Sequence, residues 1–231
     1  MKKGLEFLLD KYAVDKKVEI LNRKEAMIDG VKCTLLPWRQ ERRIMELSNL
    51  SQNKAASGGI QGVSVMRVAH ITNKKNDLME VLERELDICE YVIGTKAKEI
   101  FAVGDTKNVL NIIMKLENDV VCTIELSATL AKGQKDIDKH EIIAEKGVAC
   151  DRLVDSQMPN SSIYAFMGND ALEYQDVDAE LYGLSIDDVA IVRQCFDMAQ
   201  KGYNLNDQYA HLQVLKNAVI TSLKDAVNVI L

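Results

Sequence analysis

Between Leu78 and Ile93 the apolar residues Leu78, Leu82, Leu86, Cys89 and Ile93 fall at three- and four-residue steps, which predicts a helix over Asp77–Ile93. Glu80, Arg84, Asp87 and Tyr91 repeat at the same steps, so they share one edge of it. Such an edge is either a solvated surface or the wall of a site. Upstream, Leu5 to Leu9 is a short apolar run ending at Asp10-Lys11 and reads as a strand. Asp15 is placed to cap an amphipathic helix from Lys16 to Ile28, which Gly30 closes, and Val31 to Leu36 reads as a buried strand stopped by Pro37. The chain is thus expected to open on a right-handed βαβ unit.

Beyond Pro37 a helix is expected from Glu41 to Asn53, a polar turn region from Asn53 to Gly62 and a strand from Val63 to Ile71. After the Asp77–Ile93 helix come strands at 97–103, 109–116, 120–130, 139–144, 148–152, 162–166 and 171–174, with turn chemistry at Asn118-Asp119 and Lys146-Gly147. Ser185 caps a helix reaching Lys201 before Gly202, and a last helix runs from Asn206 to the C-terminus. The predicted class is α+β: a large, mainly antiparallel sheet with helices on one face. In the strand around Ile124, apolar Cys122, Ile124 and Leu126 alternate with Val121, Thr123, Glu125 and Ser127. Its second face is only partly polar, so a homo-oligomer through the open sheet face is expected.

Composition narrows the partners. The net charge of −6 over 231 residues disfavours nucleic acid and anionic membranes, which need a basic face. No stretch approaches the ~18 to 20 apolar residues of a membrane span, and Glu6 and Asp10 interrupt what would be a secretory leader. A cytoplasmic location is the expectation. Cys33, Cys89, Cys122, Cys150 and Cys195 are odd in number and far apart, and read as reduced thiols. His70, His140 and His211 are scattered with no partner at metal-ligand spacing, so no metal is expected and each reads as structural or surface-lying. Gly58, Gly59 and Gly62 follow a helix end rather than a strand, so no dinucleotide fingerprint exists there.

Taken in order, these segments resemble the Gfo/Idh/MocA family of NAD(P)-dependent sugar oxidoreductases. The stretch "GLEFLLDKYAVD" is similar to that family's last Rossmann strand and Glu-Lys-Pro motif, here Asp10-Lys11-Tyr12, and "GVKCTLLPWR" to the next strand and its arginine. "GGIQGVSVMRV", "DVVCTIELSATL", "DKHEIIAEKGVACD" and "DDVAIVRQCFDMAQKG" resemble the sheet and closing helices. On the helix that carries the family's His-x-x-Asp motif, Asp87 matches the aspartate and Arg84 stands in place of the histidine.

The resemblance implies a remnant of a nucleotide-binding domain over 1–38 and a substrate-binding and oligomerisation domain over 39–231. It implies Lys11 and Asp87 as what is left of the catalytic set, and Arg84, Arg39, Trp38 and Tyr91 as substrate-binding residues. The histidine's proton-transfer role passes to no one, because an arginine stays charged near neutral pH. The glycine-rich loop is missing, so this chain alone is expected to bind no cofactor. The leading expectation is a truncated oxidoreductase-like protein that binds a sugar-like small molecule or serves oligomerisation. The alternatives are one subunit of a two-chain enzyme, whose separate nucleotide-binding polypeptide supplies NAD(P), and a purely structural homodimer.

Overall fold

The computed structural model describes residues 1–55, 58–73, 77–152, 162–176 and 183–231. The main body is a nine-stranded sheet with strand order β11-β10-β9-β8-β4-β7-β6-β5-β12. Its strands are β4 (Val63–Asn73), β5 (Ala97–Gly104), β6 (Val109–Leu116), β7 (Val121–Leu130), β8 (Ile137–Ala144), β9 (Gly147–Cys150), β10 (Ser162–Met167), β11 (Asp170–Gln175) and β12 (Val229–Ile230). Eight of these nine, all but β12, match the strands expected from alternation and turn chemistry to within about three residues at each end.

The meander is interrupted once. β4 lies between β8 and β7, antiparallel to β8 and parallel to β7, with His70 beside Asp138 on one side and Leu126 on the other. Helices α2 (Arg42–Ser51), α3 (Leu78–Ile93) and α5 (Asn206–Asp225) cover one face. That face is apolar: Met66 and Val68 of β4, Ile112 and Met114 of β6, Cys122 and Ile124 of β7 and Ile142 of β8 pack on Leu82, Leu86 and Cys89 of α3. Burial at ~25 cal/mol per Å² makes this contact the largest favourable contribution to the fold. No helix among the described residues covers the other face, where Val103, Val109, Ile113 and Phe166 are each between 42 and 51% exposed.

Helix ends follow their sequence signals. Asp77 accepts from the Met79 amide and Ser185 from the Asp188 amide, and α3 and α4 (Ile186–Lys201) both end on a left-handed glycine, Gly94 and Gly202. The last helix stops at Asp225 rather than at the C-terminus, since Ala226 adopts a left-handed turn and β12 then pairs with β5.

The first 38 residues differ from expectation. The run Leu5 to Leu9 is not a strand but part of helix α1 (Lys2–Lys11), because Leu5, Leu8 and Leu9 also satisfy a helical spacing and pack on α4. The segment from Lys16 to Ile28 is not a helix. It forms β1 (Val18–Ile20) and β2 (Glu25–Ile28), which with β3 (Val31–Thr34) make a separate three-stranded antiparallel sheet. Asp29 and Gly30, read as a helix end, both have positive φ, 49° and 81°, and form the two-residue turn of the β2–β3 hairpin. The βαβ opening is therefore replaced by a helix and a meander. Ala26, Cys33 and Leu35 share a second small core with Leu5, Ile191, Cys195 and Met198, so this segment is stapled to α4. The turn expected over 53–62 is present on both sides, with residues 56 and 57 outside the described residues.

Candidate functional site

Strand parity places His70 inward beside Met66 and Val68 on β4, and His140 inward beside Ile142 on β8. Helix α3 crosses above them. Its Glu85, fully buried, accepts one contact from each ring: His70 Nδ1 lies 2.7 Å from Oε1 and His140 Nε2 lies 2.8 Å from Oε2. The other nitrogen of His140, Nδ1, lies 2.8 Å from Asp151 Oδ2. Arg84 is hydrogen-bonded to Glu85, and its second arm reaches Glu41 at 3.2 Å and Asp138 at 3.1 Å. Arg43, at the start of α2, closes the set on Glu41 (2.8 Å), Asp138 (2.5 Å) and Asp151 (2.7 Å).

This is a charge network in a dry setting, where each group fixes the ionisation of the next. Burial opposes the charge on His140, but Glu85, Asp151 and Asp138 overcome it and raise its pKa to about 10. Burial likewise disfavours ionised Glu85, yet Arg84 and His140 hold its carboxyl far below the usual range; Asp138 is held low in the same way, against burial, by Arg43 and Arg84. His140 is thus a permanent imidazolium near neutral pH, and Glu85 a permanent carboxylate.

A cavity of about 590 Å³ opens over this network, lined by His70, Arg84, Arg43, Glu41, Asp138 and residues of the loop before β8, among others. His70, Glu85 and Asp138 present ligand atoms within 4.8 Å of one another, as do Asp138, His140 and Asp151. Both sets already have guanidinium groups on their carboxylates, so the cationic role is filled by Arg84 and Arg43.

The residues expected to form one site fall into three places. Arg84 is in the cavity wall. Asp87 is fully buried, with Oδ2 accepting from the Trp38 indole at 2.6 Å and Arg39 Nε at 2.7 Å, and Oδ1 from Gln208 at 3.1 Å. Arg39 also stacks on Tyr91, its Cζ 4.9 Å from the ring centre. Trp38, Arg39, Asp87 and Tyr91 are therefore brought together around one satisfied ion pair, away from the cavity over Glu85, and Arg39 and Tyr91 also line a second cavity of about 350 Å³ with Glu90 and Gln208. Lys11 lies apart on α1, exposed, with its ammonium beside the rings of Phe7 and Tyr12. The edge Glu80–Arg84–Asp87–Tyr91 is not one floor: Glu80 pairs with Lys24 at the surface and the other three point into two different clusters.

His70, Glu85, His140 and Asp151 escape sequence reading because none is near another in the chain. The available signal was parity, since His70 and His140 fall in register with the apolar inward residues of their strands.

No family model matches this sequence, and no curated protein does. Solved structures do match in fold. A levoglucosan dehydrogenase in complex with NADH and levoglucosan superposes over 85% of this chain and 65% of its own, with a TM-score of 0.66 at 13% identity. An oxidoreductase from Pseudomonas syringae covers 86% and 64% (TM-score 0.64, 12% identity), and an aldose-aldose oxidoreductase from Caulobacter crescentus complexed with glycerol 84% and 62% (TM-score 0.62, 12% identity). This chain spans less than two thirds of the length of each. These neighbours are oxidoreductases of the Gfo/Idh/MocA type, so the resemblance in the sequence is borne out at the level of the fold.

Proposed function

We propose that this chain is the ligand-binding and oligomerising portion of a sugar-oxidoreductase-like protein, and that it holds a small polyhydroxylated ligand in the cavity over Glu85. The observation that carries this reading is the cavity itself: about 590 Å³, walled by fixed guanidinium and carboxylate groups and by one imidazole, on the fold of enzymes whose solved complexes contain levoglucosan, L-sorbose and glycerol. Charged donors and acceptors held in place by burial suit hydroxyl groups, which need both. Arg84 is the residue of the original candidate set that belongs to this wall; Lys11 and Asp87 do not belong to it. The exposed apolar residues of the uncovered sheet face are the surface assigned to self-association.

On this reading the chain alone does not oxidise its ligand. None of its described helices opens from a glycine-rich strand turn, the arrangement that cradles a pyrophosphate. The test is calorimetric titration with levoglucosan and L-sorbose, together with NADH titration followed by emission of Trp38. Sugar binding without an NADH response is the expected result. NADH binding by these 231 residues alone overturns the non-oxidising part, and failure of both sugars overturns the ligand.

A second reading is favoured by the coverage of the neighbours: about a third of the NADH-bound structure lies outside the part matched here, which is 65% of its length. A nucleotide-binding portion outside these 231 residues then completes a two-part enzyme. A copurifying polypeptide that restores the NADH response supports it.

A further inference from the structure

Apart from the cavity over Glu85, a cavity of about 240 Å³ lies along the seam between α1 and α4. Gly4, Leu8 and Lys11 follow one another at four- and three-residue steps, so they share the face of α1 that lines it, and Val189, Val192 and Phe196 do the same on α4. Leu184, just before α4, marks one end: a Cβ on Gly4 would stand 3.8 Å from its Cδ1. At the other end the Tyr12 and Phe196 rings meet, their centroids 5.3 Å apart. The two helices therefore run side by side in the same direction, and the seam follows α1 from Gly4 to Lys11, roughly 10 Å at the helical rise.

The chemistry along the seam is asymmetric. Its length is apolar, and among the described residues neither a carboxylate nor a carboxamide lines it. Its side-chain polar groups are the Arg193 guanidinium, the Tyr12 hydroxyl and the Lys11 ammonium. Arg193 is neutralised by Asp176 through contacts of 2.8 and 3.0 Å. Lys11 has no carboxylate partner among the described residues; its Nζ lies 5.4 Å from the centre of the Tyr12 ring and 5.8 Å from that of Phe7. Both of those rings are half exposed, so the cation stands where the seam opens to water. At the far end Gly4, a poor residue for a helix interior, leaves the seam clear as far as Leu184. An apolar channel with one uncompensated cation at its mouth suits a ligand built the same way, with a hydrocarbon tail and a single negative head.

We propose that the α1–α4 seam binds a straight-chain monocarboxylate, its methylene chain lying along Leu8, Val189 and Val192 and its carboxylate meeting the Lys11 ammonium. An extended chain advances about 1.2 Å per bond, so the length of the seam fits an acid of about eight carbons. The site is separate from the cavity over Glu85 and does not depend on what that cavity holds.

The experiment is an amide NMR titration of the full chain, at low salt, with hexanoate, octanoate and uncharged octanol. Octanoate is expected to shift the amides of α1 and α4 and to leave those of α3 and β4 in place. It should bind on the order of tenfold tighter than hexanoate, since each buried methylene tightens binding about fourfold, and about fivefold tighter than octanol, the scale of an exposed ion pair. Lys11→Gln removes the preference over octanol and leaves octanol itself unchanged. Gly4→Leu, which favours the helix, fills the far end and weakens octanoate while sparing hexanoate. Octanoate that binds no tighter than octanol, or that keeps its preference in Lys11→Gln, overturns the proposal. Shifts centred on α3 and β4, or no shifts at all, overturn it as well, and each of these outcomes leaves the sugar titrations to be judged on their own.

Discussion

His140 Nε2 and Glu85 Oε2 stand 2.8 Å apart with neither side chain exposed. Glu85 is the principal counterion of His140, while Glu85 is held by Arg84 first and His140 second; His140 also holds Asp151, and Glu85 also holds His70. Removing one member of a buried pair leaves an uncompensated charge and costs about 3–5 kcal/mol. Glu85→Ala is therefore expected to lower the unfolding free energy by that amount in urea denaturation. A loss below ~1 kcal/mol would contradict the network.

The same pair makes stability depend on pH. The folded His140 has a pKa raised to about 10, above the ~6.5 of a free imidazole, so its contribution is complete below pH ~6.5 and is lost as pH rises toward 10. Over that window the unfolding free energy should fall by up to about 1.4 kcal/mol per pH unit. Glu85 and Asp138 act in the opposite direction: their folded carboxyls are depressed, so their contribution is complete above the unfolded value and is lost as pH falls below ~4. Denaturant midpoints across pH 3–10 should show a maximum between ~5 and 6.5, and His140→Gln should flatten its alkaline side.

Asp87 is predicted to be structural. Asp87→Ala strips Arg39 and the Trp38 indole of their shared acceptor, at a cost of about 3 kcal/mol, and should shift Trp38 emission to the red as water reaches the indole. An unchanged spectrum with retained stability would mean the pair is not formed in solution.

Lys11→Ala supplies the contrast. Its ammonium is exposed and contacts only ring faces, so stability should change by no more than ~0.5 kcal/mol, and sugar titrations should be unaffected. A tenfold loss of binding would return Lys11 to the site.

Gly147→Ala tests the far end of the sheet. Gly147 begins β9 at φ 146°, and a Cβ there would lie 1.8 Å from the Phe166 carbonyl oxygen across the β9–β10 ladder. The variant is expected to loosen β10 and β11, read as faster amide exchange in those strands with the β4–β7 core unchanged. Protection equal to that of the parent chain would sink this.

The larger part of the fold is written in local patterns. Leu78 to Ile93 announces α3 by spacing, cap and terminal glycine together, and β6 and β7 alternate between an inward and an outward face along their length. The opening was misread where two periods compete: Leu5, Leu8 and Leu9 fit a helix as well as a short buried strand, and Val18, Ile20, Ala26 and Ile28 fit both an amphipathic helix and a hairpin. Of the residues lining the cavity over Glu85, Arg84 is the one that the sequence reading names as a site residue. The rest depends on the insertion of β4 beside β8, which sets His70 and His140 on adjacent strands although 70 residues of sequence alternation give no hint of that pairing.

That insertion also governs the order in which the chain becomes structured. β4 is complete at Asn73, but both of its neighbours come later, β7 ending at Leu130 and β8 at Ala144. During synthesis one of its edges stays unpaired until β7 is complete and the other until β8 is, about seventy residues later and several seconds at ribosomal speed, with Met66 and Val68 unburied meanwhile. The central strand of the sheet, the first of the nine to be made, is thus enclosed only once β8 has emerged, which makes this stretch a point where a nascent chain depends on chaperones and where slowed translation before β7 would reduce the soluble yield.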